Sequence, residues 1–214
     1  MISEAVYLHY FSALQDGDRE TCAKIVDELL EKEVKPKDIY VNLFQKSMYR
    51  IGDLWDTSRY SIGAEHISTK ITESIVGKVL DKYKNSNSSG KTILISCLDK
   101  EFHELGARIV SDFFEIHGWK SLFLGANTPK EEVLSLIETR NPDVVGISNN
   151  FYMNIPRLIK LVSDVKERFP EKKLIIGGQS LNFDGKSDLL KSFSDIKYLS
   201  DLDKVEEYIE AVSS

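Results

Sequence analysis

Glu101, His103 and Gly106 fall within one short stretch, DKEFHELG, directly after the apolar run TILISCL (92–98). A neutral imidazole nitrogen is a good ligand for cobalt, iron or zinc. A carboxylate two residues away can take the other ring N–H, which fixes the tautomer and raises the basicity of the ligating nitrogen. Further along, Ser148 ends the run DVVGIS with Asn150 two residues on, and Gly177-Gly178 closes KLIIGG. Glycines there admit close approach of a ligand to the backbone. Each of these also has a plain reading, as a solvated loop histidine or as glycines that merely turn the chain. A second group lies earlier, in IGDLWDTSRYSIGAEHIS: Trp55 at the end of one helical pattern and Glu65-His66 at the start of the next. Their plain readings are a core indole, a carboxylate favoured by a helix N-terminus and a half-buried imidazole.

The elements that must carry these residues follow from the apolar periods. Before residue 85 the period is helical, with segments at about 2–15, 19–33, 38–55 and from 61 onward. Asp18 and Ser61 are suited to cap the second and fourth, Asp38 opens the third, and Ile67, Ile71, Ile75 and Val79 form a stripe on the fourth. Short loops between four helices imply an up-down bundle over 1–84. NSNSSGK (85–91) contains no apolar residue and reads as a linker. From 92 to 214, five short apolar strands alternate with helical stretches at about 106–117, 129–140, 155–168, 185–193 and 201–212. Strands apolar on both faces and joined by helices predict an α/β unit: a Rossmann-like, doubly wound, parallel five-stranded sheet. Ligands bind such sheets outside the carboxyl ends of the strands, and the DKEFHELG loop lies at one of those ends.

Composition narrows the function further. The 214 residues carry a formal charge of −6, which argues against a nucleic-acid surface. The two cysteines, Cys22 and Cys97, sit in apolar patterns and read as buried thiols of a cytosolic protein. No apolar run approaches membrane-spanning length, and the N-terminus lacks a basic leader, so the expected location is the cytoplasm, away from membranes. With no P-loop, dinucleotide fingerprint or nucleophile elbow, the chain is expected not to be an enzyme in its own right.

Taken together, Glu101-x-His103-x-x-Gly106, Ser148-x-Asn150 and Gly177-Gly178 resemble the cobalamin-binding signature (Asp/Glu)-x-His-x-x-Gly … Ser-x-(Leu/Thr) … Gly-Gly. The resemblance implies that His103 replaces the cofactor's own dimethylbenzimidazole as lower axial ligand to cobalt, with Glu101 hydrogen-bonded to it. The displaced nucleotide tail would run along Gly106, Ser148, Gly177 and Gly178, with Leu105 and Asn150 also at the cofactor. Asn150 departs from the pattern, which has Leu or Thr there.

The bundle segment, Trp55-x9-Glu65-His66, resembles the cap of the adenosylcobalamin-dependent photoreceptors of the CarH/LitR type. That resemblance implies a bundle covering the upper face of the cofactor. Trp55 would lie against the adenosyl group, Glu65 on its ribose, and His66 would complete the wall. The expected function is then a light-sensing signalling module. It would hold adenosylcobalamin base-off and His-on between bundle and sheet, and change conformation or assembly when light breaks the cobalt–carbon bond. Its partners would be further copies of itself or a separate signalling protein. Two features differ from those photoreceptors: Asp56 follows Trp55 where they carry a histidine, and the chain opens on the bundle rather than on a DNA-binding domain. Two alternatives stay open. One is a corrinoid protein carrying methyl groups for a methyltransferase system, with methyl- or hydroxocobalamin, which needs His103 but neither Trp55 nor the Glu-His pair. The other is a linear-tetrapyrrole (biliverdin) photoreceptor on the same fold.

Overall fold

Ser3, Asp18 and Ser61 start helices by one device, a side-chain oxygen that accepts a first-turn N–H. The donors are Val6 at 3.4 Å, Thr21 at 3.0 Å and Ala64 at 3.1 Å. The helices they open are α1 (Glu4–Gln15), α2 (Arg19–Glu31) and α4 (Ile62–Tyr83). Between α2 and α4 runs α3, in three consecutive segments: Pro36–Ile39, a π-helical stretch Tyr40–Gln45, and Lys46–Asp56. Pro36, not Asp38, begins it, because proline's fixed φ suits the first turn and its missing N–H costs nothing there. Asp38 instead accepts from the Asn42 amide at 3.0 Å. The helices bury Tyr10, Leu14, Val26, Leu43, Phe44, Ile51, Ile75 and Val79 completely or nearly so. Ile67 does not belong to that stripe. It is 55% exposed, because a strict four-residue spacing drifts off a 3.6-residue face by the first turn of α4.

This is a computed structural model that describes residues 1–181 and 196–213. The chain divides into two units, Met1–Lys84 and Asn85–Ser214. The second contains β1 (Thr92–Cys97), α5 (Leu105–Ile116), β2 (Lys120–Gly125), α6 (Lys130–Arg140), β3 (Val144–Ser148), α7 (Ile155–Arg168), β4 (Lys173–Gly177), β5 (Ile196–Tyr198) and α8 (Leu202–Ser213). The strands form one parallel sheet in the order β2-β1-β3-β4-β5. The helix expected at 185–193 lies outside the described residues. Val145, Ile147, Leu174 and Ile176 pack with Leu158, Leu161 and Val165 of α7 and Val133 and Ile137 of α6 into one apolar core. Burial on both faces is what makes these strands continuous apolar runs.

Two details bear on the site. In register, Cys97 pairs with Ser148, and Ser148 with Gly177, so β1, β3 and β4 end at one level. Residues 85–91 are also less free than their polar composition predicts. Ser89 N–H donates to the Gly118 carbonyl at 2.8 Å, and a Cβ at Gly118 would fall 2.5 Å from the Asn87 carbonyl oxygen. With φ at +83°, that position requires glycine. Among the described residues, no helix is long and apolar enough to cross a membrane.

Candidate functional site

The loop after β1 turns at Lys100, held at φ +65°. Asn127, itself at φ +50°, steadies the turn: its Oδ1 accepts from Lys100 N at 2.9 Å and its N–H donates to the Glu101 carbonyl at 2.7 Å. The Glu101 side chain folds inward and is 1% exposed. Its Oε1 lies 2.7 Å from His103 Nδ1 and accepts the His103 backbone N–H at 2.9 Å. Its Oε2 accepts the backbone N–H of Asn150 at 2.7 Å and of Phe151 at 3.0 Å.

Burial is the largest single influence on this carboxyl and favours the neutral acid. The hydrogen bonds from the His103 ring, His103 N–H and Asn150 N–H, with the charge of the imidazole, outweigh it and hold Glu101 below its ordinary value. An ionised Glu101 accepts a proton-bearing Nδ1, and in the neutral ring that leaves the lone pair on Nε2. The His103 side chain is 66% exposed and its ring lies nearly parallel to that of Phe151, 6° apart with centroids at 6.3 Å.

The other sheet-end positions gather at the same level. Leu105 and Gly106 open α5, and a Cβ at Gly106 would meet nothing within 4 Å. Ser148 is buried at the end of β3, its carbonyl accepting from Leu98 N–H at 3.3 Å. Asn150 donates from Nδ2 to the His103 carbonyl at 3.1 Å and accepts the Gln179 N–H on Oδ1 at 3.1 Å. Gly177 ends β4. Gly178 has φ +98°, and a Cβ there would lie 2.2 Å from the Asn149 carbonyl oxygen, so the turn excludes any other residue.

Several residues the sequence reading passed over also shape the loop. Besides Asn127 and Phe151, Glu104 Oε2 accepts the Ala126 N–H at 2.7 Å, and Asn154 Nδ2 donates to the Lys100 carbonyl at 3.2 Å. Asparagine's tolerance of left-handed turns was the one available signal for Asn127. Cys97 is held as a protonated thiol: burial, with the Glu101 and Glu104 charges adding, pushes it up to about 12.

Trp55, Glu65 and His66 lie in the first unit. Trp55 is 46% exposed and lines an open depression of about 460 Å³ with Ser58, Arg59, Tyr60, Ser61 and Ile62. Glu65 is engaged within its own helix, its Oε1 accepting from Thr69 Oγ1 at 2.9 Å and its Oε2 lying 3.6 Å from His66 Nε2. The His66 ring is exposed.

Among the described residues, no group of three or more His, Cys, Asp or Glu could hold a bare metal ion. A single oriented imidazole is suited instead to a metal whose remaining ligands come with it, as in a macrocycle. The open space over Gly106 and the glycine turn at Gly178 fit such a group. Residues 91–193 match the family model described as the B12 binding domain, and residues 9–79 match a second model of the same description. The chain belongs to the B12-binding domain family.

Among curated relatives of this B12-binding protein, trimethylamine corrinoid protein 1 of Methanosarcina acetivorans is 21% identical over 80% of the chain and 82% of the relative. Monomethylamine corrinoid protein 1 of Methanosarcina mazei is 23% identical over 81% of each. In fold, the chain is similar to the monomethylamine corrinoid protein of Methanosarcina barkeri, with TM-score 0.81, 15% identity, and 98% of this chain and 100% of that one covered. It is also similar to the methanol:cobalamin methyltransferase complex of the same organism, with TM-score 0.52, 16% identity, and 99% and 81% covered.

These relatives overturn the light-sensing reading. Trimethylamine and monomethylamine corrinoid proteins align with about four-fifths of the chain. The bundle residues behind that reading carry no feature that demands an adenosyl group. Glu65 accepts a hydrogen bond from Thr69 and lies 3.6 Å from the His66 ring, and Trp55 stands half in solvent.

Proposed function

We propose that this protein is a corrinoid carrier of methyl groups for a methyltransferase system, the catalyst being a separate protein. One observation carries the reading: methylamine corrinoid proteins align with about 80% of the chain, and the chain spans about 82% of their length. When bound, a corrinoid supplies a cobalt centre able to accept and release a methyl group. His103 Nε2 would be its lower ligand, oriented through Nδ1 by the buried carboxylate of Glu101. Leu105, Gly106, Ser148, Asn150, Gly177 and Gly178 would line the path of the nucleotide tail. The carried form would be methylcobalamin rather than adenosylcobalamin, since a carrier must offer a small, transferable upper ligand.

The test is reconstitution with hydroxocobalamin followed by gel filtration, then reduction and incubation with a methylamine:corrinoid methyltransferase and its substrate. The expected outcome is co-elution of corrinoid with protein and conversion to the methylated spectrum only when the methyltransferase is present. A protein that elutes colourless would sink the reading, and so would a bound corrinoid that no methylamine or methanol methyltransferase can methylate.

A further inference from the structure

Asn150 occupies a position where the cobalamin-binding signature has Leu or Thr, and it makes more hydrogen bonds to neighbouring loops than an apolar residue could. Its backbone N–H donates to Glu101 Oε2 at 2.7 Å, as any residue's would. The side chain adds two bonds that are its own: Nδ2 to the His103 carbonyl at 3.1 Å, and Oδ1 from the Gln179 N–H at 3.1 Å. One residue thus ties three segments together: the loop bearing His103, the end of β3, and the turn that follows Gly177-Gly178. Gln179 N–H lies one residue beyond the turn that Gly178 forces against Asn149. Phe151, the next residue, places its ring parallel to the imidazole and donates its N–H to the same Glu101 oxygen.

We infer that Asn150 is a positioning residue for the axial ligand, clamping the His103 backbone to the Gly178-Gln179 turn so that the imidazole is oriented before the cofactor arrives. The inference rests on the corrinoid reading for its purpose, but the clamp belongs to the protein alone. Glu101 fixes which nitrogen of His103 is presented, whereas Asn150 fixes where the peptide bearing it sits. Holding both before binding removes an ordering cost that the cofactor would otherwise have to meet. Because Oδ1 reaches the turn beside Gly177-Gly178, the clamp also joins the tail path to the ligand. A corrinoid with a nucleotide tail should therefore depend on position 150 more than a tail-less one does.

The experiment compares wild type with Asn150→Leu, which restores the family residue and removes both side-chain bonds. Asn150→Asp keeps the acceptor for Gln179 N–H and loses the donor to the His103 carbonyl. In the cofactor-free protein, proton NMR should show a nuclear Overhauser contact between the His103 and Phe151 rings, lost in Asn150→Leu while the melting temperature changes little. With hydroxocobalamin, Asn150→Leu should release the corrinoid roughly tenfold faster, the scale of losing about one hydrogen bond's worth of ordering. With cobinamide, which has no tail, the change should be smaller, and Asn150→Asp should fall between the two. An unchanged ring contact together with an unchanged release rate in Asn150→Leu overturns the inference. If wild type binds no corrinoid, the corrinoid reading fails, and the ring contact still decides the clamp.

Discussion

The loop around His103 and the rim around Trp55 are opposite solutions to presenting a side chain. His103 is exposed at its ring, yet its backbone and Nδ1 are held by Glu101 and Asn150, and Asn127 anchors the Glu101 peptide beneath. Trp55 is also exposed, but it lines an open depression whose other walls are the turn residues 58–62. Buried charge-assisted hydrogen bonds specify one geometry, whereas a half-exposed apolar ring specifies only a shape. For a carrier this division is useful. Under the proposed function, the axial ligand would be held by polar bonds and the rim around Trp55 left adaptable.

Mutations that break the contrast should hit the sheet-end loop hardest. His103→Ala should cost about a hundredfold or more in retention of hydroxocobalamin, read by equilibrium dialysis and by loss of the histidine-ligated spectrum. Retention equal to wild type would remove the axial-ligand assignment. Glu101→Ala strands the N–H groups of His103, Asn150 and Phe151 and should cost about 2–4 kcal/mol of stability in urea unfolding, with roughly 10–100-fold weaker cofactor retention.

The same carboxyl gives a pH dependence with a definite sign. Its folded value is lowered, so its contribution is present at and above the ordinary carboxylate range and is lost as pH falls through that lower value. Unfolding of wild type from pH 7 down to 3 should show this loss, and Glu101→Gln should flatten it.

Gly178→Ala meets both a left-handed backbone and the Asn149 carbonyl, and should destabilise by about 1–3 kcal/mol. In the bundle the effects shrink. Ser61→Ala removes the cap of α4 and should cost about 1 kcal/mol in thermal unfolding. Trp55→Ala should leave corrinoid retention within about twofold while slowing methylation by the partner enzyme. A large loss of retention would erase the distinction between the two regions.

The fold was legible because burial on both faces leaves continuous apolar strands such as VVGIS and LIIG, and turn residues punctuate them. Spacing also brought Glu101 and His103 into one view, since two residues on a loop are close whatever the fold. What could not be read was anything depending on the register between distant strands. That Asn150 reaches both the His103 carbonyl and Gln179 N–H follows only once β1, β3 and β4 end at the same level. Ile67 was misplaced for the opposite reason, since a local period was extended a turn beyond the face that the neighbouring helices cover. Sequence likeness to the photoreceptor cap failed because Trp55 and the Glu-His pair form a pattern that need not imply any one upper ligand.

The π-helical stretch in α3 has its own consequence. Each residue of an α-helix advances the chain by about 100° about the axis, so a widened turn shifts the angular phase of everything after it. Deleting a single residue within Tyr40–Gln45 would let that helix run as an uninterrupted α-spiral and leave the indole at its far end near its present heading, because the wide turn takes up about one residue's worth of rotation.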